Sequence, residues 1–294
     1  MSMLSNMKGK ICMITGANSG IGKATALGLA EMNAKVIMVC RNQNWGEAAR
    51  DEISQKTGNQ SIDLLIADLS SQKAIHQLVA EFKSTYQQLH VLINNAGVLL
   101  QNRSVTVDGI ETTFAVNYLA PFLLTNLLLD TIIASAPARI INVSSGTHSW
   151  AHLNLEDLQN EKRYEAWTAY SQSKLALILF TYELARRLKG TKVTANCLHP
   201  GVIDTNIGSI THVEHPISSK SFNKLRRGAK TSIYLASSTE VDHVTGKYFV
   251  RKSIAKSSTE SYDEAIAQKL WQISAEITNL DNILKNKYKM QNIP

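Results

Sequence analysis

Tyr170 and Lys174, in the run Tyr170-Ser171-Gln172-Ser173-Lys174, are the residues of this chain best placed to move a proton. On a helix, that spacing sets phenol and ammonium on one face. A cation there favours the phenolate of a group that otherwise ionises near pH ~10. Spacing alone is not specific, because Tyr248 and Lys252 repeat it. Context separates the two pairs. Ala169 to Gly190 has an apolar face and predicts a helix with Tyr170 and Lys174 in its first turns. Tyr248 sits in a β-like run, where residues four apart stand roughly 13 Å from each other at ~3.3 Å per residue. Upstream, Ile141-Asn142-Val143-Ser144-Ser145-Gly146 reads as a strand that ends in serines. Such a hydroxyl can hydrogen-bond a substrate oxygen, or simply cap a turn.

A second group of residues suits a phosphate. Thr15-Gly16-Ala17-Asn18-Ser19-Gly20-Ile21-Gly22 puts three glycines between a predicted strand and a predicted helix. Glycines there let backbone N–H groups approach a pyrophosphate at the positive helix end. The spacing Gly-x-x-x-Gly-x-Gly differs from Gly-x-Gly-x-x-Gly, and a glycine-rich turn can also be only a tight turn. The second predicted strand ends Val39-Cys40-Arg41-Asn42. A carboxylate at that place would bind ribose hydroxyls, whereas Arg41 can pair with a 2'-phosphate, so the expected cofactor is NADP (NADPH). Asp68 and Leu69 end the third strand, suited to accept from and to flank an adenine. Asn94-Asn95-Ala96-Gly97 ends the fourth, where a ribose could lie. Each is also ordinary turn chemistry. Their joint arrival at strand C-terminal ends, where open α/β sheets bind ligands, favours the binding-site reading.

The elements that must hold these residues follow from periodicity. Apolar or β-branched runs at Lys10 to Thr15, Lys35 to Cys40, Ile62 to Ala67, Val91 to Asn94, Arg139 to Ser144, Lys192 to Leu198 and Lys247 to Val250 alternate with helical patterns. That alternation predicts a doubly wound α/β fold, a parallel sheet of about seven strands with helices on both faces. The 294 residues, 44% hydrophobic and without a low-complexity linker, are read as a single domain spanning 1–294. Residues 202–227 break the rhythm. They mix Ile203, Ile207, Ile210, Val213, Ile217 and Phe222 with His212, His215 and polar residues, which suggests a substrate loop that closes over an apolar body, or an irregular surface loop. A C-terminal helix is expected at about 261–280.

The formal charge is +7, with basic clusters at Arg186 to Lys192, Lys220 to Lys230, Lys247 to Lys256 and Lys285 to Lys289. No nucleic-acid motif accompanies them, so they read as solvated faces and no nucleic-acid partner is expected. Cys12, Cys40 and Cys197 lie in apolar runs without metal-ligand spacing and read as buried packing residues in a reducing compartment; no metal is expected. The longest apolar stretch, Tyr118 to Leu129, falls short of the ~20 residues of a membrane span, and Met1 to Lys8 has no signal-peptide core. A soluble cytoplasmic protein is the expectation.

Taken in order, Thr15 to Gly22, Asp68, Asn94 to Gly97, Asn117, Ser144-Ser145, Tyr170 with Lys174, and Pro200-Gly201 followed by Thr205 resemble the motifs of the short-chain dehydrogenase/reductase family over nearly the whole chain. Within it the likeness is strongest to the retinol dehydrogenase group, with protochlorophyllide reductases nearby. That likeness rests on Val39 to Asn42, the long gap from Ser145 to Tyr170, Phe180 to Gly190, His199-Pro200-Gly201 and Leu270-Trp271. Many animal members of that group carry an N-terminal membrane segment. The resemblance implies a Rossmann-type fold and hydride transfer between NADP(H) and a carbonyl or alcohol of a hydrophobic substrate, such as a retinal-like aldehyde or a ketone. By the same resemblance, Tyr170 is the proton donor or acceptor and Ser145 orients the oxygen, with Ser144 its structural neighbour. Lys174 binds the ribose and lowers the phenol pKa, and Asn117 holds a water. Pro200, Gly201, Val202 and Thr205 bracket the nicotinamide. A homodimer through the helices beginning near Gly109 and Ala169 is a further possibility. The rival reading is a non-catalytic NADP-binding sensor or scaffold of the same fold.

Overall fold

The computed structural model describes residues 6–201 and 219–280. Its strands are β1 (Ile11–Thr15), β2 (Lys35–Cys40), β3 (Ile62–Ile66), β4 (Val91–Asn94), β5 (Ala138–Val143), β6 (Val193–His199), β7 (Tyr248–Val250) and β8 (Ser253–Ala255). They form one sheet in the order β3-β2-β1-β4-β5-β6-β7-β8, parallel from β1 through β7. The apolar runs are nearly continuous because both faces are covered. In β1, Met13 packs into one cluster with Ile37, Leu92 and Ile140, while Cys12 and Ile14 pack into another with Val36, Met38 and Ile93.

The helices are α1 (Gly20–Ala30), α2 (Gln43–Thr57), α3 (Gln72–Thr85), the single turn α4 (Thr112–Phe114), α5 (Ala120–Ala134), α6 (Ala166–Arg187), α7 (Ser219–Ser237) and α8 (Glu264–Ile277). Residues of α3, α5, α6 and α8 fill the first cluster, and those of α1, α2 and α7 complete the second, so each face of the sheet has its own layer. The sheet order reverses between β1 and β4, which opens a crevice at their carboxyl ends. The predicted phosphate cradle lies after β1, and Asn95 to Gly97 lie after β4, so both border that crevice.

Four boundaries differ from expectation. An eighth strand, β8, pairs antiparallel with β7 through a two-residue turn at Arg251 and Lys252, whose φ values are +50° and +68°. Such turns usually announce themselves with Asn-Gly, which this one lacks. Helix α6 starts at Ala166 rather than Ala169, because the Glu165 carboxylate accepts from Trp167 N and Thr168 N at 3.0 and 2.6 Å and caps it. Of the expected loop 202–227, residues 219–227 belong to α7, whose amphipathic pattern the surrounding polar sequence obscures; the remainder lies outside the described residues. The C-terminal helix is α8, shorter than expected, with a 3₁₀ turn at Thr259–Tyr262 before it and an Asp263 cap on Ile266 N at 2.9 Å.

Candidate functional site

The β1–α1 turn is built by close approach. A Cβ on Gly22 would stand 2.2 Å from the Gly16 carbonyl oxygen, which backbone cannot yield, so this position requires glycine. Gly16 and Gly20 have φ of +67° and +56°, in the left-handed region. The turn is braced from β4. Asn95 Nδ2 donates to Thr15 O at 2.8 Å, and the Thr15 hydroxyl accepts from Asn95 N and Ala96 N at 2.9 and 3.0 Å. Asn95 therefore shapes the cradle with its side chain. Ser19 is the N-cap of α1, yet its side chain makes no capping bond, and Asn18, Ser19 and Ile21 are all half-buried at the helix mouth. A tight loop, a helix N-terminus with no acidic residue in its first turn, and an unengaged cap hydroxyl together fit a dinucleotide pyrophosphate.

Arg41 follows β2, is exposed, and makes no hydrogen bond or ion pair with any described residue. Asn42 beside it caps α2 through Trp45 N at 3.0 Å. Asp68 accepts from Ser70 N and Oγ at 2.9 and 2.8 Å with one carboxylate oxygen. Leu69 is half-buried against the core cluster that contains α5.

On the other side of the crevice, Ser145, Tyr170 and Lys174 come together. Ser145 follows β5 and caps a 3₁₀ helix, Gly146–Trp150, accepting from Thr147 N at 3.3 Å. Tyr170 is 6% exposed and Lys174 3% exposed, on the face of α6 that meets the strand ends. Burial pushes the phenol of Tyr170 up, opposed by a hydrogen bond with the Ser145 side chain. Lys174 Nζ donates to Val143 O at 3.1 Å and lies 5.6 Å from the centre of the Tyr170 ring. Its own burial lowers its pKa to about 8. The expected lowering of the phenol by the ammonium is not what the site shows: burial raises it, and the influence that opposes burial is the Ser145 side chain. Ser144 donates to the carbonyl of Lys174 at 2.9 Å and fastens α6 to β5.

Asn117 lies in a π-helical turn, Ala115–Leu119, between α4 and α5. Wide turns of this kind recur at functional sites because they re-aim one residue. Asn117 Oδ1 accepts from Val98 N at 2.7 Å, and its Nδ2 donates to Val98 O and Ser173 Oγ at 2.9 and 3.0 Å. A Cβ on Gly97 would stand 3.3 Å from both Asn117 Oδ1 and Lys174 Nζ, so the bare glycine lets the end of β4 reach both. Pro200 and Gly201 follow β6, with Gly201 at φ +96°; Val202 and Thr205 lie outside the described residues.

Sequence reading missed the support beneath the site. Asn94 Nδ2 donates to Asn142 Oδ1 and Thr125 Oγ1 at 2.8 and 3.0 Å, and Asn142 Nδ2 donates to Thr181 Oγ1 at 2.9 Å. This buried polar chain ties β4 and β5 to α5 and α6. The signal available was a polar residue inside each of two apolar strands.

Residues 10–212 match the family described as short chain dehydrogenase. The chain belongs to that family. Human retinol dehydrogenase 14 is 43% identical over 93% of this chain and 88% of its own length. A crystal structure of an uncharacterised protein from Mycobacterium Paratuberculosis superposes with a TM-score of 0.78 at 33% identity, covering 94% of this chain and 96% of that one. A blue fluorescent protein from a metagenomic library, solved in complex with NADPH, gives 0.65 at 27% identity, covering 83% and 96%. As a short-chain dehydrogenase the chain is an oxidoreductase of a family that uses a nicotinamide cofactor, on the Rossmann-type sheet described above.

The cytoplasmic location expected from the sequence does not stand. The chain matches a retinol dehydrogenase nearly end to end, and that is the group in which membrane segments are common. The apolar stretch taken as too short is also part of a longer one. Thr112–Ala134 forms a helical run of 23 residues, long and apolar enough by length and composition to cross a membrane, although 72% of its most apolar window is buried inside the protein.

Proposed function

We propose that this short-chain dehydrogenase is an NADP(H)-dependent enzyme that interconverts a carbonyl and an alcohol on a hydrophobic substrate such as a retinoid. The observation that carries the reading is the meeting of Tyr170, Ser145 and Lys174 beside the glycine cradle at the β1/β4 crevice. The cofactor would supply the hydride for reduction. Gly16 to Gly22 would hold its pyrophosphate, and Asp68, Leu69 and Ala96 would flank its adenosine half. Gly97, Pro200 and Gly201, with Val202 and Thr205, would line the nicotinamide side.

Tyr170 would give its phenolic proton to the carbonyl oxygen and take it back in the reverse direction. A phenol kept protonated by burial is a competent donor, and Ser145, whose side chain opposes that burial at the phenol, would orient the same oxygen. Lys174, with a pKa of about 8, stays largely protonated at neutral pH. It would hold the ribose hydroxyls and supply the positive charge as the phenol gives up its proton. Asn117, fixed by its bonds to Val98 and Ser173, would order a water next to the lysine.

Arg41 supports the choice of NADPH, since its guanidinium is exposed, has no described partner, and stands where no carboxylate would repel a 2'-phosphate. The large exposed rings of Trp150, which ends the Ser145 helix, and Trp167, 6.0 Å from the Tyr170 ring, support an apolar substrate. Two assays test the proposal. A panel of aldehydes and ketones that includes retinal, followed by NADPH consumption, should show turnover strongest on long apolar aldehydes. Fluorescence titration should give a Kd for NADPH at least about tenfold below that for NADH, a gap that Arg41→Ala closes at a cost of roughly 1.5–3 kcal/mol for one charge-assisted contact. Equal wild-type affinities would remove the NADP assignment.

A further inference from the structure

The peptide unit joining Ser145 to Gly146 is bound at both ends by imidazoles. Its carbonyl oxygen lies 2.7 Å from His148 Nδ1, and its N–H donates to His199 Nδ1 at 3.0 Å. These partners fix the protonation of each ring. A carbonyl only accepts, so His148 carries its proton on Nδ1; its Nε2 accepts from Ser258 N at 3.1 Å and must be bare. A backbone N–H only donates, so His199 Nδ1 is bare, and the neutral ring is protonated on Nε2. One peptide unit is thus held by two neutral histidines of opposite tautomer. Burial favours neutrality in both, and each histidine pKa is lowered by it, that of His199 also by its neighbour His148.

The clamp has a firm backing. His148 is 3% exposed and packs edge-on against Tyr248 of β7, ring centres 4.9 Å apart. Ser258 belongs to the segment between β8 and α8, which Ser257 fastens to α6 through Tyr182 Oη at 2.8 Å and to Ser261 Oγ at 2.6 Å.

We propose that His148 and His199 are positioning residues that aim the Ser145 hydroxyl by clamping the Ser145–Gly146 peptide, and that His148 couples the segment around Ser258 to the site. This rests on the role given to Ser145 above. The side chain of Ser145 leaves the same Cα as the clamped carbonyl, and its cap bond to Thr147 N holds only while Ser145 keeps its extended backbone, φ −144° and ψ 155°. Rotation of that peptide would carry Thr147 N away and break the cap bond that sets the rotamer of the hydroxyl beside Tyr170, and misplacement by ~1 Å can cost about 100-fold in rate.

Conservative and disruptive variants separate aiming from bulk. Asparagine sets an amide near the place of the imidazole Nδ1, so His148→Asn can still donate to Ser145 O and His199→Asn can still accept from Gly146 N. His148→Phe and His199→Phe keep a ring and lose the bonds. The expected result is a kcat for retinal reduction about 10–100-fold lower in each phenylalanine variant, with KM and the Kd for NADPH within about twofold of wild type, and recovery of most of the loss in the asparagine variants. Heteronuclear NMR of the imidazole nitrogens in the cofactor-free wild type should show the Nδ1–H tautomer for His148 and the Nε2–H tautomer for His199, a readout that does not depend on the variants folding. Wild-type kcat in both phenylalanine variants, while Ser145→Ala is inactive, overturns the clamp and leaves the proposed function standing. Equal tautomers at the two rings also overturn it. Wild-type kcat in Ser145→Ala instead removes the role of the serine itself.

Discussion

Two tyrosine–lysine pairs with identical spacing have opposite fates in this molecule. Tyr170 and Lys174 sit on successive turns of α6, both buried, with the ammonium 5.6 Å from the phenol ring and its donor bond on Val143 O. Tyr248 is also buried, in β7, but Lys252 lies past the strand in the hairpin turn, exposed, with its ammonium 5.8 Å over the Tyr234 ring. Burial pushes both phenols up. Of the two, Tyr170 alone has a side chain beside it, Ser145, that pulls the other way. A motif of two residue types gains chemical meaning from the element that carries it and from the third group that element brings alongside.

The largest effect that can break this contrast is Tyr170→Phe, which should lower kcat for carbonyl reduction by about 10²–10⁴, the usual worth of a positioned acid, and leave the fold intact. Lys174→Met comes next. It should weaken NADPH binding and lower kcat together, each by about tenfold or more, because one group serves both cofactor and proton, whereas an effect on stability alone would reduce Lys174 to packing.

Lys174 also predicts a pH dependence. Folding lowers its pKa from 10.5 to about 8, so between those values the unfolded chain holds more protons than the folded one. Stability contributed through Lys174 therefore rises with pH across that window and is least below about 8, where the charged form is buried. In denaturant titrations of the cofactor-free protein, Lys174→Met should be relatively more stable than wild type at neutral pH and lose that advantage toward pH 10.5. A constant difference at all pH values would contradict the lowered pKa. The smallest effect belongs to Lys252→Met, expected to leave kcat unchanged and stability within about 0.5 kcal/mol, as for other exposed sites.

The sheet and the edge that carries the site were legible because buried parallel strands leave long apolar runs and turn glycines leave gaps between them. The grouping of Gly16 to Gly22 with Asn95, and of Ser145 with Tyr170 and Lys174, follows from strand ends converging on one edge. What sequence concealed was mostly the work of partners distant in the chain. Asn42 and Asn95, expected at the cofactor, also cap a helix and brace a loop. The π turn at Asn117 depends on bonds to Val98 and Ser173 that no local pattern encodes. The hairpin at Arg251-Lys252 lacks the residues its backbone usually takes. The apolar core helix around Tyr118 looked short because Asp130 closes its hydropathy, although the helix runs on to Ala134; inside it Thr125 accepts from Asn94 and Asn126 bonds its own helix at Phe122 O.

Single-turnover reduction of retinal by protein already loaded with NADPH isolates the step assigned to Tyr170 from binding and release. The account predicts that Tyr170→Phe consumes the bound NADPH at least about 100-fold more slowly than wild type, with the same Kd for NADPH, while Lys252→Met follows the wild-type curve. A Tyr170→Phe protein that consumes it at the wild-type rate would contradict the central claim.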